Sequence, residues 1–258
     1  MRIARIVVGD DPRFAVVDGE GDSARYAVIK GDPLYTPIEP TGQILDADGV
    51  RLLAPVIPRS KVVGVGRNYA EHAAELGNEV PEAPMIFLKP NTSVVGPDDP
   101  IVLPGYSQRV DHEGELAVVI KRICKDVPAS KALEVIFGYT VANDVTARDQ
   151  GETGPWLLKK GFDSACPLGP WIETDLDPAD LAVRVRVDGE LRQDGRTSQM
   201  IHGVSELISY ISSVVTLLPG DVILTGTPAG VGPIHAGQRV DVEIEGLGTL
   251  SNPVLPTR

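Results

Sequence analysis

The chain has little cysteine, a deficit of basic residues and no long apolar run, and each shortage removes a class of protein. Its two cysteines, Cys124 and Cys166, stand far apart with no Cys-x-x-Cys and no histidine at zinc spacing. Neither a disulfide framework nor a structural zinc site is expected; buried free thiols in a cytoplasmic protein are. Lysine and arginine number 24 against 36 aspartates and glutamates, a net charge of −12. That balance argues against a surface that tracks phosphates, so nucleic acid is not the expected partner. The apolar stretch in the first ten residues is too short for a signal peptide, and no later run approaches the ~20 residues that span a bilayer, so no membrane partner is expected. The glycine-rich segments are incomplete as cofactor signatures. Gly64-Val65-Gly66-Arg67-Asn68-Tyr69 has a tyrosine at the third glycine of a dinucleotide fingerprint, and the run from Leu224 to Gly232 lacks the Gly-Lys-Ser/Thr ending of a phosphate loop. No internal repeat or low-complexity tract occurs.

What is present is an ordinary globular composition, 42% hydrophobic and 23% charged, broken by 27 glycines and 22 prolines. Many turns between short strands follow, and the expected class is α+β, β-rich. A length of 258 residues fits a large domain with a small appendage. Residues 1–57 read as short strands, Ile3 to Val8, Arg13 to Val17 and Ala24 to Ile29, separated by Gly-Asp, Asp-Gly and Asp-Pro turns. Pro55 and Pro58 disfavour helix and mark the boundary to a second domain, 58–258, which opens on the apolar strand Lys61 to Val65. Helical patterns follow at Asn68 to Leu76, capped by Gly77, at Ser130 to Phe137 and at Val204 to Leu217. Strand patterns follow at Phe137 to Asn143, Val183 to Val187, Val222 to Leu224 and Val240 to Ile244, with Asp188-Gly189 as a hairpin turn.

Glu113 and Glu115 alternate in His112-Glu113-Gly114-Glu115-Leu116-Ala117-Val118-Val119-Ile120, so a strand places both on one face beside a buried run. Asp144 sits just past a second strand-like run and offers a third oxygen donor. At ~4 Å each like-charged pair would repel by about 4 kcal/mol at an effective dielectric near 20, which calls for a cation or a proton. Three carboxylates suit a hard ion, Mg²⁺ or Mn²⁺; the competing reading is a half-exposed strand whose polar residues face water. A zinc-protease reading fails because His112-Glu113 has no second histidine at the required spacing. His72 and Glu75 share a helix face, where a carboxylate can orient an imidazole as a general base, although such pairs on exposed helices are usually weak contacts. If the loop of Thr227 lines a pocket, its N–H groups and hydroxyl suit a substrate carboxylate. Lys89 and Lys160 are surface lysines by default.

Taken together, Gly66-Arg67-Asn68-Tyr69-Ala70-Glu71-His72, Lys89-Pro90, Glu113-Gly114-Glu115-Leu116, Asn143-Asp144-Val145-Thr146-Ala147-Arg148-Asp149, Lys160-Gly161-Phe162-Asp163 and Thr225-Gly226-Thr227-Pro228 strongly resemble, in order and spacing, the fumarylacetoacetate hydrolase family. The resemblance runs from about residue 58 to the C-terminus; residues 1–57 resemble the small N-terminal domain of some bacterial members. It implies a mixed β-sandwich or roll with a few flanking helices, a homodimer, and one Mg²⁺ or Mn²⁺ per site. Position by position it makes Glu113, Glu115 and Asp144 the metal ligands, and His72 and Glu75 a dyad on a segment that orders over the substrate. Lys160 then lies near the reacting oxygen, and Arg67, Tyr69, Lys89, Thr227 and, with one gap, Gln150 contact substrate. Longer hydrolases of the family carry a fourth acidic ligand seven residues before the motif histidine; here that position is Val65, which speaks against fumarylacetoacetate itself. The implied chemistry is a 2-oxo acid chelated through carboxylate and keto oxygens, with enolate charge met by the metal and Lys160. Isomerisation of 2-hydroxyhepta-2,4-diene-1,7-dioate or decarboxylation of a 2-oxo dicarboxylate in aromatic catabolism ranks first. Hydrolysis of an acylpyruvate such as fumarylpyruvate comes next, and a non-catalytic small-acid binding protein last.

Overall fold

The computed structural model describes residues 1–75, 77, 79–151 and 155–257. Its largest sheet begins as an antiparallel meander of Arg2–Val8, Asp11–Asp18, Arg25–Ile29 and Pro40–Asp46. Arg2–Val8 then pairs with Cys166–Glu173, so hydrogen bonds run unbroken from the first residues into the centre of the molecule. Beyond it come Ile136–Asn143, Gly114–Ile120, Val222–Leu224, Val62–Gly66 and Met85–Lys89. The Val222–Leu224 and Val62–Gly66 pair is parallel, which makes the sheet mixed. A second sheet orders Glu190–Arg196, Ala182–Val187, Arg239–Ile244, Gly248–Leu255 and Ile101–Val102. The architecture is thus α+β and β-rich, as the turn-punctuated composition predicts.

Gly114–Ile120 is buried at every residue because both of its faces are covered. Leu116, Val118 and Ile120 point into the cluster that holds Val183, Val185, Val240 and Val242 of the second sheet and Leu207, Ile208 and Ile211 of the helix Val204–Val214. Ala117 and Val119 point the other way, onto Val222, Leu224, Leu168 and Ile172. Each large aliphatic side chain so buried contributes about 1.5–3 kcal/mol, which fixes the register of the strand that carries Glu115.

Three expected elements differ. Ala129–Val135 is a run of 3₁₀ turn rather than a helix reaching Phe137, because Ile136 and Phe137 open the strand paired with Gly114–Ile120 and the ladder claims their backbone. The long helix stops at Val214, before the expected Leu217, since Leu217 exchanges hydrogen bonds of 2.9 and 3.0 Å with Cys124 across a β-bridge. The first helix spans Ala70–Glu75; its expected last residue, Leu76, lies outside the described residues, and Gly77 takes the left-handed conformation at φ 67°. The Asp188-Gly189 hairpin forms as expected, both residues at positive φ. Both cysteines are free, but only Cys166 is buried; Cys124 is half-buried.

Candidate metal and active site

Strand register gathers the acids. Asn143 pairs with Gly114, so Asp144, the next residue, ends level with Glu113, and its N–H donates to the Glu113 carbonyl at 2.8 Å. Carboxylate oxygens of Glu113, Glu115 and Asp144 lie within 4.8 Å of one another. The residues are 4%, 1% and 1% exposed, which rules out the water-facing reading of this strand. Lys160, at the end of the short helix Trp156–Lys160, places its ammonium 2.7 Å from Glu113 Oε2, 2.6 Å from Asp144 Oδ2 and 2.7 Å from the Thr146 hydroxyl. Lys89 reaches Asp144 Oδ1 at 2.5 Å. Neither lysine follows the surface default, because an ammonium can stay buried only beside such partners. Arg148 completes the set, donating to Glu113 and, at 2.9 Å, to Asp111 Oδ2.

The acids are not equivalent. Burial alone would raise Glu113, but Lys160 and Arg148 overcome it and hold that carboxyl below the usual range. Glu115 accepts the Gly226 N–H at 2.6 Å, yet burial and the adjacent Asp144 and Glu113 charges push its pKa well above the carboxylate range. Burial works against the Lys160 ammonium too, but Asp144 and Glu113 outweigh it and raise the pKa; Lys160 therefore stays charged at neutral pH and is a cation rather than a base. Three buried carboxylates on two fixed strand ends are an all-oxygen donor set, and Glu115, whose pKa is pushed upward, is the one with no ion-pair partner among the described residues. Both facts fit a hard divalent ion held by Glu113, Glu115 and Asp144.

Glu113 and Glu115 line a cavity of about 80 Å³ with Arg67, His72, Arg148, Lys160 and Thr227. That space suits a small acid rather than a bulky ligand. His72 is buried, and its Nδ1 lies 3.4 Å from Glu75 Oε2. Glu75 also accepts the Gly230 N–H at 3.1 Å, tying the helix to the glycine-rich loop. Arg67 adopts φ 56° and has no ion-pair partner among the described residues. Tyr69 instead lines a separate cavity with Glu71, Asp194 and Gln199; its buried hydroxyl has no hydrogen-bond partner among the described residues. Lys89 stands behind Asp144, and Gln150 donates to the Tyr106 carbonyl at 3.2 Å, outside the lining. Sequence reasoning overlooked Arg148, although it stands four residues after Asp144, and Gln193, whose contacts lie 34 or more residues away in the chain.

Fold and site together define a β-rich protein whose buried three-carboxylate cluster, fit for a divalent ion, shares a cavity with His72 of a histidine–glutamate pair. Residues 61–255 match the family model described as fumarylacetoacetate (FAA) hydrolase C-terminal, and residues 1–55 match one described as Rv2993c-like, N-terminal. The chain belongs to the fumarylacetoacetate hydrolase family. It is similar to the crystal structure of 2-hydroxyhepta-2,4-diene-1,7-dioate isomerase from Mycobacterium marinum, with a TM-score of 0.92 and 50% identity over 99% of this chain and 98% of that one. A mitochondrial oxaloacetate tautomerase of Xenopus laevis is 45% identical over 82% of this chain and 70% of its own length. Fumarylpyruvate hydrolase from Pseudomonas aeruginosa, solved with Mn²⁺ and pyruvate, has a TM-score of 0.74 and 36% identity over 80% of this chain and 92% of that one.

Proposed function

We propose that the protein is a divalent-metal-dependent enzyme that moves a proton on a 2-oxo dicarboxylic acid, as an isomerase or tautomerase. Charge carries the reading. Lys89 and Lys160 pair with Asp144, Lys160 and Arg148 with Glu113, and Arg109 and Arg148 with Asp111, while Glu115 has no ion-pair partner among the described residues. Arg67 lines the cavity with no ion-pair partner among the described residues, so its guanidinium is available to a substrate anion. Mg²⁺ or Mn²⁺, when bound by Glu113, Glu115 and Asp144, supplies a Lewis-acid centre and two further positive charges, and a dianion suits that excess better than a monoanion. Lys160 meets the charge that develops on the substrate oxygen, while Arg67 and Thr227 hold the far carboxylate. His72, with Nδ1 turned to Glu75, keeps Nε2 for the cavity it lines. There it carries the proton as a C–H bond beside the keto group breaks and an O–H bond forms.

Isomerisation of 2-hydroxyhepta-2,4-diene-1,7-dioate in aromatic catabolism and oxaloacetate tautomerisation fit this chemistry, since the relatives above carry those names. Decarboxylation of a 2-oxo dicarboxylate would use the same cations. Acylpyruvate hydrolysis is the second reading, favoured by the His72–Glu75 contact, which can equally activate water. A cytoplasmic homodimer completes the proposal, with residues 1–57 as a small N-terminal domain on a catalytic domain 58–258; the free thiols and the exposed Leu88, Leu157 and Leu158 beside the site support it. The test is to follow all of these reactions by ultraviolet absorbance with Mn²⁺ or Mg²⁺ and with EDTA. Fast tautomerisation that chelator abolishes is expected. Equal rates in both conditions would overturn metal-assisted proton transfer, and hydrolysis outrunning tautomerisation would favour the second reading.

A further inference from the structure

Gln193, on the Glu190–Arg196 strand of the second sheet, is fully buried and fills every hydrogen-bonding position of its amide. Its Oε1 accepts from the Gly114 N–H and from His112 Nδ1, both at 3.0 Å. Its Nε2 donates to the Thr227 hydroxyl and to the Pro228 carbonyl, both at 2.7 Å. A backbone N–H can only donate and a backbone carbonyl only accept, so these partners fix which end of the amide is which, and with it the protonated Nδ1 of His112. The Thr227 hydroxyl, having accepted from Gln193, donates to the Gly114 carbonyl at 2.8 Å. Both peptide groups of the residue between Glu113 and Glu115 are therefore held from outside their strand, one by Gln193 and one by Thr227.

Packing closes the same junction. A Cβ on Gly114 would lie 2.4 Å from Val185 Cγ2 and 2.9 Å from Val242 Cγ1, one on Gly195 would lie 2.5 Å from Pro228 Cβ, and one on Gly230 would lie 2.1 Å from the Arg192 carbonyl oxygen. The carboxylate strand, the Thr227 loop and the second sheet thus meet at van der Waals distance, with Gln193 as the polar tie among them. Removing its amide would leave the Gly114 N–H and the Pro228 carbonyl buried without these partners, at about 1–3 kcal/mol each. The peptide that sets the directions of Glu113 and Glu115 would then be free to turn.

We infer that Gln193 is a positioning residue for the cation centre: without lining the cavity, it fixes the separation of the Glu113 and Glu115 carboxylates and the height of the Thr227 hydroxyl above them. This rests on Glu113, Glu115 and Asp144 being the metal site. Outer partners that orient metal ligands are worth about 10–100-fold in affinity. The experiment measures Mn²⁺ dissociation constants by electron paramagnetic resonance for the wild type, Gln193→Leu and Gln193→Glu, alongside thermal midpoints and kcat and KM. Gln193→Leu, close in size, is expected to bind Mn²⁺ about 10–100-fold more weakly and to lose kcat at saturating metal. Gln193→Glu keeps the acceptor toward Gly114 and is expected to fall between the two. A Gln193→Leu protein with a lowered midpoint but Mn²⁺ affinity within about twofold of wild type overturns the inference, since that is the mark of packing alone. If Gln193→Leu does not fold, Gln193→Glu decides by the same criterion, with unchanged affinity counting against positioning. A wild type that binds no Mn²⁺ overturns the metal reading and this inference with it, an outcome distinct from the failure of Gln193 alone.

Discussion

Replacing Lys89 by methionine separates the electrostatic role of this lysine from its bulk. Lys89 is 1% exposed and its ammonium lies 2.5 Å from Asp144 Oδ1; methionine fills nearly the same space without the charge. Breaking a buried ion pair from one side costs about 3–5 kcal/mol. Asp144 keeps Lys160 at 2.6 Å, so the low end, about 3 kcal/mol, applies in the metal-free protein. At roughly 2–4 °C per kcal/mol for a chain of this order of size, the midpoint should fall by about 6–12 °C in EDTA. With saturating Mn²⁺ the ion takes over the compensation that Lys89 provided, and the deficit should shrink by at least half. The rise in midpoint on adding Mn²⁺ is thus larger in the variant than in the wild type, a coupling that two calorimetric scans of each protein measure directly. Equal deficits in EDTA and Mn²⁺ would refute the idea that lysine and metal answer the same negative charge.

Glu115 gives a pH test. Its folded-state pKa lies above the unfolded value, mainly through burial and then through Asp144 and Glu113, so its contribution to stability is complete at low pH and fades as pH rises above the ordinary carboxylate range. Metal-free protein should therefore lose stability as pH rises above the ordinary carboxylate range, and Glu115→Gln should flatten that slope while abolishing Mn²⁺ binding; denaturant titrations over a pH series and Mn²⁺ titrations of the variant check the two. His72→Ala should lower tautomerisation and hydrolysis by about 10²–10⁴-fold but decarboxylation less, because loss of CO₂ needs neither an attacking water nor a carbon-bound proton removed. Equal losses in all three assays would remove His72 from proton transfer. Gly64→Ala would set a Cβ 2.2 Å from Phe87 Cζ, in a ring that packs against Trp156 at 5.3 Å; destabilisation of about 1–3 kcal/mol is expected in thermal unfolding.

Much of this was legible because it depends on local periodicity. Apolar runs such as Val222–Leu224 and Val183–Val187 carried their strands, whereas the single strand expected to hold Glu113 and Glu115 breaks at Glu113, between Val110–His112 and Gly114–Ile120, and the two acids meet across that break. Resemblance to a family drew Lys89 and Lys160 into the site, against the expectation for lone lysines, because burial of a lysine depends on acids supplied from elsewhere in the chain. Gln193 was not legible at all: nothing near it in sequence distinguishes it from a surface glutamine, and its meaning comes from Gly114, 79 residues away. The helix end at Val214 was missed for the same reason, since Leu217 is drawn off by Cys124. Short-range patterns foretold the elements; the partners that only folding brings together decided the remainder.

The continuous ladder from Arg2–Val8 onto Cys166–Glu173 also bears on how this protein tolerates trimming. A chain shortened to the family's C-terminal portion would bare the amides and carbonyls that now face Arg2 and Ile3, along with Trp171, which packs against the apolar cluster of Ala4 and Ile6. An uncovered sheet edge beside greasy side chains is a template for self-association. Shorter versions would need a charged or capped rim there to stay dispersed, and the N-terminal meander serves this molecule as its edge guard.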